Sequence, residues 1–79
     1  MKIEIRLFAT LASYARHKDL GPDGTLCLPE PATIRDAVRI LGVPEPEIKL
    51  VFLNGAHASL TTALKDQDRV GIFPPIGGG

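Results

Sequence analysis

Val70-Gly71-Ile72-Phe73-Pro74-Pro75-Ile76-Gly77-Gly78-Gly79 are the last ten residues of the sequence, and their reading decides the fold. Val70 to Phe73 is a short apolar run of strand type that leads straight into Pro74. Two prolines hold φ near −65° and carry no amide donor, so they stop a strand and send the backbone out as an extended, solvated rod. Three glycines then remove every side chain, which suits a tail that must thread a narrow groove. The reactive group such a tail offers is the Gly79 α-carboxylate. A carboxylate is inert towards nucleophiles until activated, for example as a mixed anhydride with AMP, so a chain that presents one is expected to be the substrate of an activating enzyme. The plainer alternative is a frayed glycine-rich end.

The residues upstream favour the first of these. In the preceding stretch, Lys2 to Leu7 alternates strictly, with Ile3, Ile5 and Leu7 on one face and Lys2, Glu4 and Arg6 on the other, which reads as a half-buried strand. Phe8 to Ala15 loses that period and reads as a short helical turn or loop. Gly21-Pro22-Asp23-Gly24 marks a turn, and Thr25 to Leu28 a second strand closed by Pro29 and Pro31, as at a sheet edge. Thr33-Ile34-Arg35-Asp36 resembles a capping box with Asp in place of Glu. Ile34, Ala37, Val38 and Leu41 follow at helical spacing, with Gly42 as the left-handed cap. Leu50 to Leu53 is an apolar run ended by Asn54-Gly55, a two-residue hairpin signal, and Ala56 to Ala58 is its partner strand. Leu60 to Leu64 reads as a turn or short helix that drops Leu64 into the core, and Asp66-Gln67-Asp68 as the last turn.

Composition limits what such a chain can do. Seventy-nine residues form one small domain, expected over 1–75 with 76–79 as a tail; a domain of this size buries only about 60% of its unfolded surface. Nine Lys plus Arg balance nine Asp plus Glu, and the absence of a basic block argues against nucleic-acid and anionic-membrane partners. The single cysteine, Cys27, fits no paired metal or redox motif, and neither His17 nor His57 has a companion at ligand spacing, so no metal is expected. A cytoplasmic location is expected from the lone cysteine and from a start that alternates charge with isoleucine.

Strand, strand, helix, strand, strand, strand, with a right-handed crossover joining elements that lie parallel, is the order of an α+β β-grasp (ubiquitin-like) domain. A mixed sheet of four to five strands should pack on one main helix. Over essentially its whole length the chain resembles the MoaD/ThiS family of ubiquitin-like sulfur carriers. The resemblance rests on Leu7-Phe8-Ala9, on Asn54-Gly55, on Leu64-Lys65-Asp66-Gln67-Asp68-Arg69-Val70, and on Phe73-Pro74-Pro75-Ile76-Gly77-Gly78-Gly79. Phe-Pro-Pro before the glycines and a length near eighty are more similar to the molybdopterin-synthase small subunit than to the thiazole carrier. Gln67 departs from the family, which usually has glycine there, and must take a left-handed conformation or another turn type.

The resemblance implies a relay on one atom. An E1-like adenylating enzyme of the MoeB/ThiF kind, using ATP, would activate Gly79, and a sulfur donor would convert it to a thiocarboxylate. The carrier itself would bind no cofactor. A molybdopterin-synthase large subunit of the MoaE kind would then hold Ile76, Gly77, Gly78 and Gly79 in its active site, and the catalytic side chains would belong to that partner. Two other readings share the fold. A protein modifier would pass Gly79 to a lysine amine, and a docking module would use no tail chemistry.

Strand parity also suggests where a partner docks. With Ile3, Ile5 and Leu7, then Val51 and Leu53, then Val70 and Ile72 inward, all three phenylalanines of the chain, Phe8, Phe52 and Phe73, fall on the opposite face. Beside Pro74 and Pro75 they would form one exposed patch, the mark of an interface. The alternative is that a ring folds inward, or that Leu50 serves the core in the third strand.

Overall fold

The computed structural model describes residues 1–75. The expectations for Ile76, Gly77, Gly78 and Gly79, and with them the 76–79 tail, lie outside the described residues. Five strands form one mixed sheet: β1 (Lys2–Leu7), β2 (Thr25–Cys27), β3 (Leu50–Leu53), β4 (Ala56–Ala58) and β5 (Arg69–Phe73), in the spatial order β2-β1-β5-β3-β4. β1 runs parallel to the central β5, and the other pairings are antiparallel. One α-helix, α1 (Ile34–Ile40), and two 3-10 helices, Ala9–Arg16 and Glu45–Glu47, complete the domain. This is the β-grasp architecture.

Alternation does what the sequence implies. Ile3, Ile5, Val51, Val70 and Ile72 enter the core from the sheet, and Ile34, Ala37 and Val38 meet them from α1. Leu7 and Leu53 pack against the edge of that cluster, half-buried. Leu11, inside the 3-10 helix, and Leu26, from β2, are fully buried, and Leu64 is dropped inward as its position implied. Each such aliphatic side chain contributes about 1.5–3 kcal/mol when removed from water.

The helix ends are built as their residues require. The Thr33 hydroxyl accepts from the Asp36 amide at 3.4 Å, and the Asp36 carboxylate accepts from the Thr33 amide at 2.8 Å, so Asp serves in the reciprocal cap. At the other end Gly42 has φ +75°; its amide bonds the Arg39 carbonyl, and the Val43 amide bonds the Val38 carbonyl. That pair of bonds satisfies carbonyls of the last turn and seats Val43 in the core. α1 spans seven residues, the short end of the two to three turns expected. Asn54 and Gly55, at φ +52° and +84°, make the β3–β4 turn.

Sequence reading misplaced one residue. Pro74 is buried and only Pro75 is exposed, so the solvated rod does not start at Pro74. The reason is parity: Val70 and Ile72 point inward, and Pro74 continues the same alternation past the last strand residue. The Glu45–Glu47 3-10 helix was also not foreseen. The Glu45 carboxylate lies 3.1 Å from Arg35 Nε and 3.6 Å from Arg39 Nε, which ties that turn to the exposed side of α1.

Candidate functional site

The outer face of the sheet, opposite α1, carries the three phenylalanines. Phe8 and Phe73 stack with ring planes 2° from parallel and centroids 4.2 Å apart, and Phe52 meets Phe73 edge-on at 5.6 Å. His57, across from Phe52 on β4, extends the cluster with an edge-on contact at 5.9 Å. The alternative in which Leu50 faces the core is excluded by the register, which sets Leu50 opposite Phe73 and Val51 opposite Ile72. Phe8 is the large apolar residue that the described fold leaves most exposed, at 38%.

Backbone geometry explains why Phe8 is there. Its amide donates to the Ile72 carbonyl at 3.1 Å, which carries the β1–β5 pairing one residue further, and its carbonyl accepts from the Leu11 amide at 3.0 Å. Between those bonds Ala9 turns left-handed, with φ +52°. That conformation costs an alanine roughly 1–2 kcal/mol. The turn lets adjacent segments face opposite ways: Phe8 lies over the outer face and Leu11 drops into the core.

Gly71 is the residue of the site that sequence reading missed. A Cβ built there would lie 3.5 Å from Phe8 Cε2, 3.6 Å from Phe73 Cε1 and 4.0 Å from Phe52 Cβ. The three rings therefore surround a strip of bare β5 backbone and form the walls of an open groove of about 470 Å³, with Arg6 and Arg69 on its rim. The signal was present in the outward parity of position 71. A count of side chains passes over a glycine.

Of the residues expected to bind a partner, the structure brings Phe8, Phe52 and Phe73 together, sets Pro75 exposed just beyond them, and buries Pro74. Ile76, Gly77, Gly78 and Gly79 are not described. Among the described residues no group of three or more His, Cys, Asp and Glu side chains could hold a metal ion, and no helix is long and apolar enough to cross a membrane. Cys27 is a free, exposed thiol on the β2 edge. Tyr14 packs against the core and directs its hydroxyl to both Glu47 carboxylate oxygens at 3.3 Å; desolvation first, and the Glu47 charge second, raise its pKa above 10.0.

Comparison with known proteins agrees with this geometry. The model of the ThiS family matches residues 5–79. Among solved structures, SAMP1 from Haloferax volcanii is 27% identical with a TM-score of 0.69 and full coverage of both chains. A putative molybdopterin converting factor subunit 1 from Pyrococcus furiosus is 28% identical with a TM-score of 0.67, over 95% of this chain and 98% of that one. A chain of the complex of subunits 1 and 2 of molybdopterin-converting factor from Helicobacter pylori 26695 shares the fold at 22% identity, with a TM-score of 0.57 and full coverage of both chains. No curated protein matches significantly. With the family model spanning nearly the whole sequence and the sheet order of a β-grasp domain on the page, the chain belongs to the ThiS family, the ThiS/MoaD group of ubiquitin-like sulfur carriers.

Proposed function

We propose that this protein is the sulfur-carrying small subunit of a molybdopterin synthase, acting in the cytoplasm. The observation that carries the reading is the extent of the family match, which runs through residue 79 and so includes the Gly77-Gly78-Gly79 segment. In the proposed relay a carboxylate oxygen of Gly79 attacks the α-phosphorus of ATP on an E1-like enzyme and releases pyrophosphate. Sulfur at the oxidation level of hydrosulfide then attacks the acyl carbon, the bond to AMP breaks, and a thiocarboxylate remains. The bound tail makes that sulfur effectively intramolecular for the next acceptor, so the carrier needs no catalytic side chain of its own. A large subunit supplies the catalytic groups and receives Pro75 to Gly79, while the Phe8/Phe52/Phe73 face docks against it. The likeness to the Pyrococcus furiosus subunit supports this assignment.

The likeness to SAMP1 favours a second reading, a modifier joined to lysine through Gly79, which shares every step up to the adenylate. Thiazole synthesis is the other acceptor pathway open to a ThiS-family carrier. One experiment separates the three. The protein isolated from its own cells is examined by mass spectrometry, and its thiocarboxylate form is mixed with a molybdopterin-synthase large subunit and the cyclic pterin precursor. A terminal thiocarboxylate and formation of the dithiolene are expected. Cellular lysines carrying the chain's C-terminal tryptic segment, residues 70–79, with no thiocarboxylate would establish the modifier, and thiazole formation without dithiolene would establish the thiamine carrier.

A further inference from the structure

Asn54 is the one asparagine of the chain, and glycine follows it. The pair builds the β3–β4 turn because both residues accept a left-handed backbone, at φ +52° and +84°. It is also the dipeptide in which side chain and main chain react most readily with each other, since a glycine nitrogen has no neighbouring Cβ to hinder its approach to the carboxamide carbon. Both residues are exposed, and a Cβ built at Gly55 would meet nothing within 4 Å, so water reaches the junction.

In the fold the carboxamide is held. Its Oδ1 accepts from the Arg69 amide at 2.9 Å and its Nδ2 donates to Asp68 Oδ1 at 3.0 Å, while the Asn54 amide donates to the Arg69 carbonyl at 2.8 Å. Attack on the carboxamide carbon must come from above or below the amide plane. The two side-chain bonds fix that plane, so reaction requires it to turn. Asp68 is itself pinned: it is 9% exposed, and its other oxygen accepts from the Lys65 amide at 2.7 Å.

We propose that Asn54 is a self-modification site, deamidated through a ring closed with Gly55, and that its clasp to Asp68 and Arg69 is the gate. The Gly55 nitrogen forms a bond to Asn54 Cγ, the Cγ–Nδ2 bond breaks, and ammonia leaves with the Gly55 amide proton. Water then opens the five-membered imide at one of its two carbonyl carbons. Cleavage at Cγ gives aspartate; cleavage at the main-chain carbon gives isoaspartate, with the chain rerouted through Cβ. The oxidation level does not change, and water is the only co-reactant. Either product sets a carboxylate where a donor faced Asp68. Asp68 Oδ1 then loses its hydrogen and meets a like charge at a buried position. The gate works in one direction: a turn that opens long enough to react closes less well afterwards, and the hairpin parts from the turn that feeds β5. This site is independent of the tail and of the carrier reading.

The test is timed incubation of the full chain at mildly alkaline pH, followed by tryptic mapping of the peptide 50–65, in which Asn54 is the only side-chain amide. The native chain should deamidate at least about tenfold more slowly than the same chain unfolded in urea, with isoaspartate among the products. Asp68→Ala, held at a temperature where circular dichroism shows it folded, should react about tenfold faster than the native chain. Sub-denaturing urea on the native chain is the arm that needs no substitution: the rate should climb before the global transition begins. Asn54→Asp should have a lower denaturant midpoint than the native chain. Equal rates for the folded and unfolded chains, or a rate that follows global unfolding alone, would overturn the gate. Aspartate without isoaspartate would mean direct hydrolysis and refute the ring, and an Asn54→Asp midpoint at or above the native value would refute the one-way consequence.

Discussion

Asn54 and Asp68 are joined side chain to side chain at 3.0 Å, Nδ2 to Oδ1, and this contact locks the β3–β4 hairpin to the turn that feeds β5. Asn54 Oδ1 also accepts from the Arg69 amide at 2.9 Å, while Asp68 Oδ2 accepts from the Lys65 amide at 2.7 Å. Asp68 is the buried charged residue among those described, so its oxygens depend on these donors. Asn54→Ala removes two hydrogen bonds and leaves an alanine at φ +52°. Together these should cost about 2–4 kcal/mol. Asn54→Gly loses the same bonds but keeps the backbone at ease, so urea melts should place it about 1 kcal/mol above the alanine variant. Equal midpoints for the two would show that the left-handed turn carries no strain.

Gln67 resolves the departure from the family pattern. It takes the left-handed conformation, φ +73°, and its amide donates to the Lys2 carbonyl at 2.7 Å. Its side chain gains one long, exposed bond of 3.3 Å to Asp66. Gln67→Gly should relieve about 1 kcal/mol of backbone strain, and the greater freedom of glycine in the unfolded chain should offset roughly half of it. A rise of a few degrees in melting temperature is expected. A fall would mean that the Asp66 contact outweighs the strain.

Acid should act through Asp66 and Asp23. The Asp66 carboxylate accepts the Lys2 amide at 2.7 Å, and this bond first, then the Gln67 side chain, holds its pKa below the ordinary 3.8. Asp23 is lowered first by its hydrogen bonds with Thr25. A group with a depressed folded pKa stabilises the fold above its unfolded pKa and loses that contribution as pH falls through the folded value. Denaturant midpoints should therefore be flat above the ordinary carboxylate range and decline below it. D23N/D66N should flatten that acid limb; an unaltered limb would assign the loss to other carboxylates.

Much of the fold was legible because it is local. The period-two runs at Ile3/Ile5 and Val70/Ile72, the Thr33–Asp36 cap and the Asn54-Gly55 turn are each decided within a few residues. Parity alone also placed Phe8, Phe52 and Phe73 on one face. Other features depend on contacts that no short window contains. Asn54 reaches Asp68 and Arg69 fourteen and fifteen positions away. Gly71 matters through the rings around it, and Pro74 is drawn inward by the alternation of the strand before it, against the ordinary expectation for a proline past a strand end.

The rings around Gly71 permit a graded test of the docking face. Ordinary van der Waals distances of 3.5–4.0 Å to a Cβ at position 71 mean that alanine fits without moving Phe8, Phe52 or Phe73. Alanine also removes the cost of glycine in a strand interior, about 0.5–1 kcal/mol, so Gly71→Ala should fold with equal or slightly higher stability. Gly71→Leu adds atoms that must enter the groove and occupy the place of a partner's side chain. It should weaken binding of the large subunit by at least about tenfold. Its melting temperature should stay within a few degrees, because the added side chain projects away from the Ile72 core. Phe73→Arg removes the stacked pair, worth about 0.5–1.5 kcal/mol, and should weaken the same binding by more than about 1 kcal/mol. Calorimetric titration beside thermal melts reads both quantities. If Gly71→Leu bound like the native protein, the groove would not be where the partner docks; if Phe73→Arg unfolded the domain, the ring would belong to the core instead of the interface.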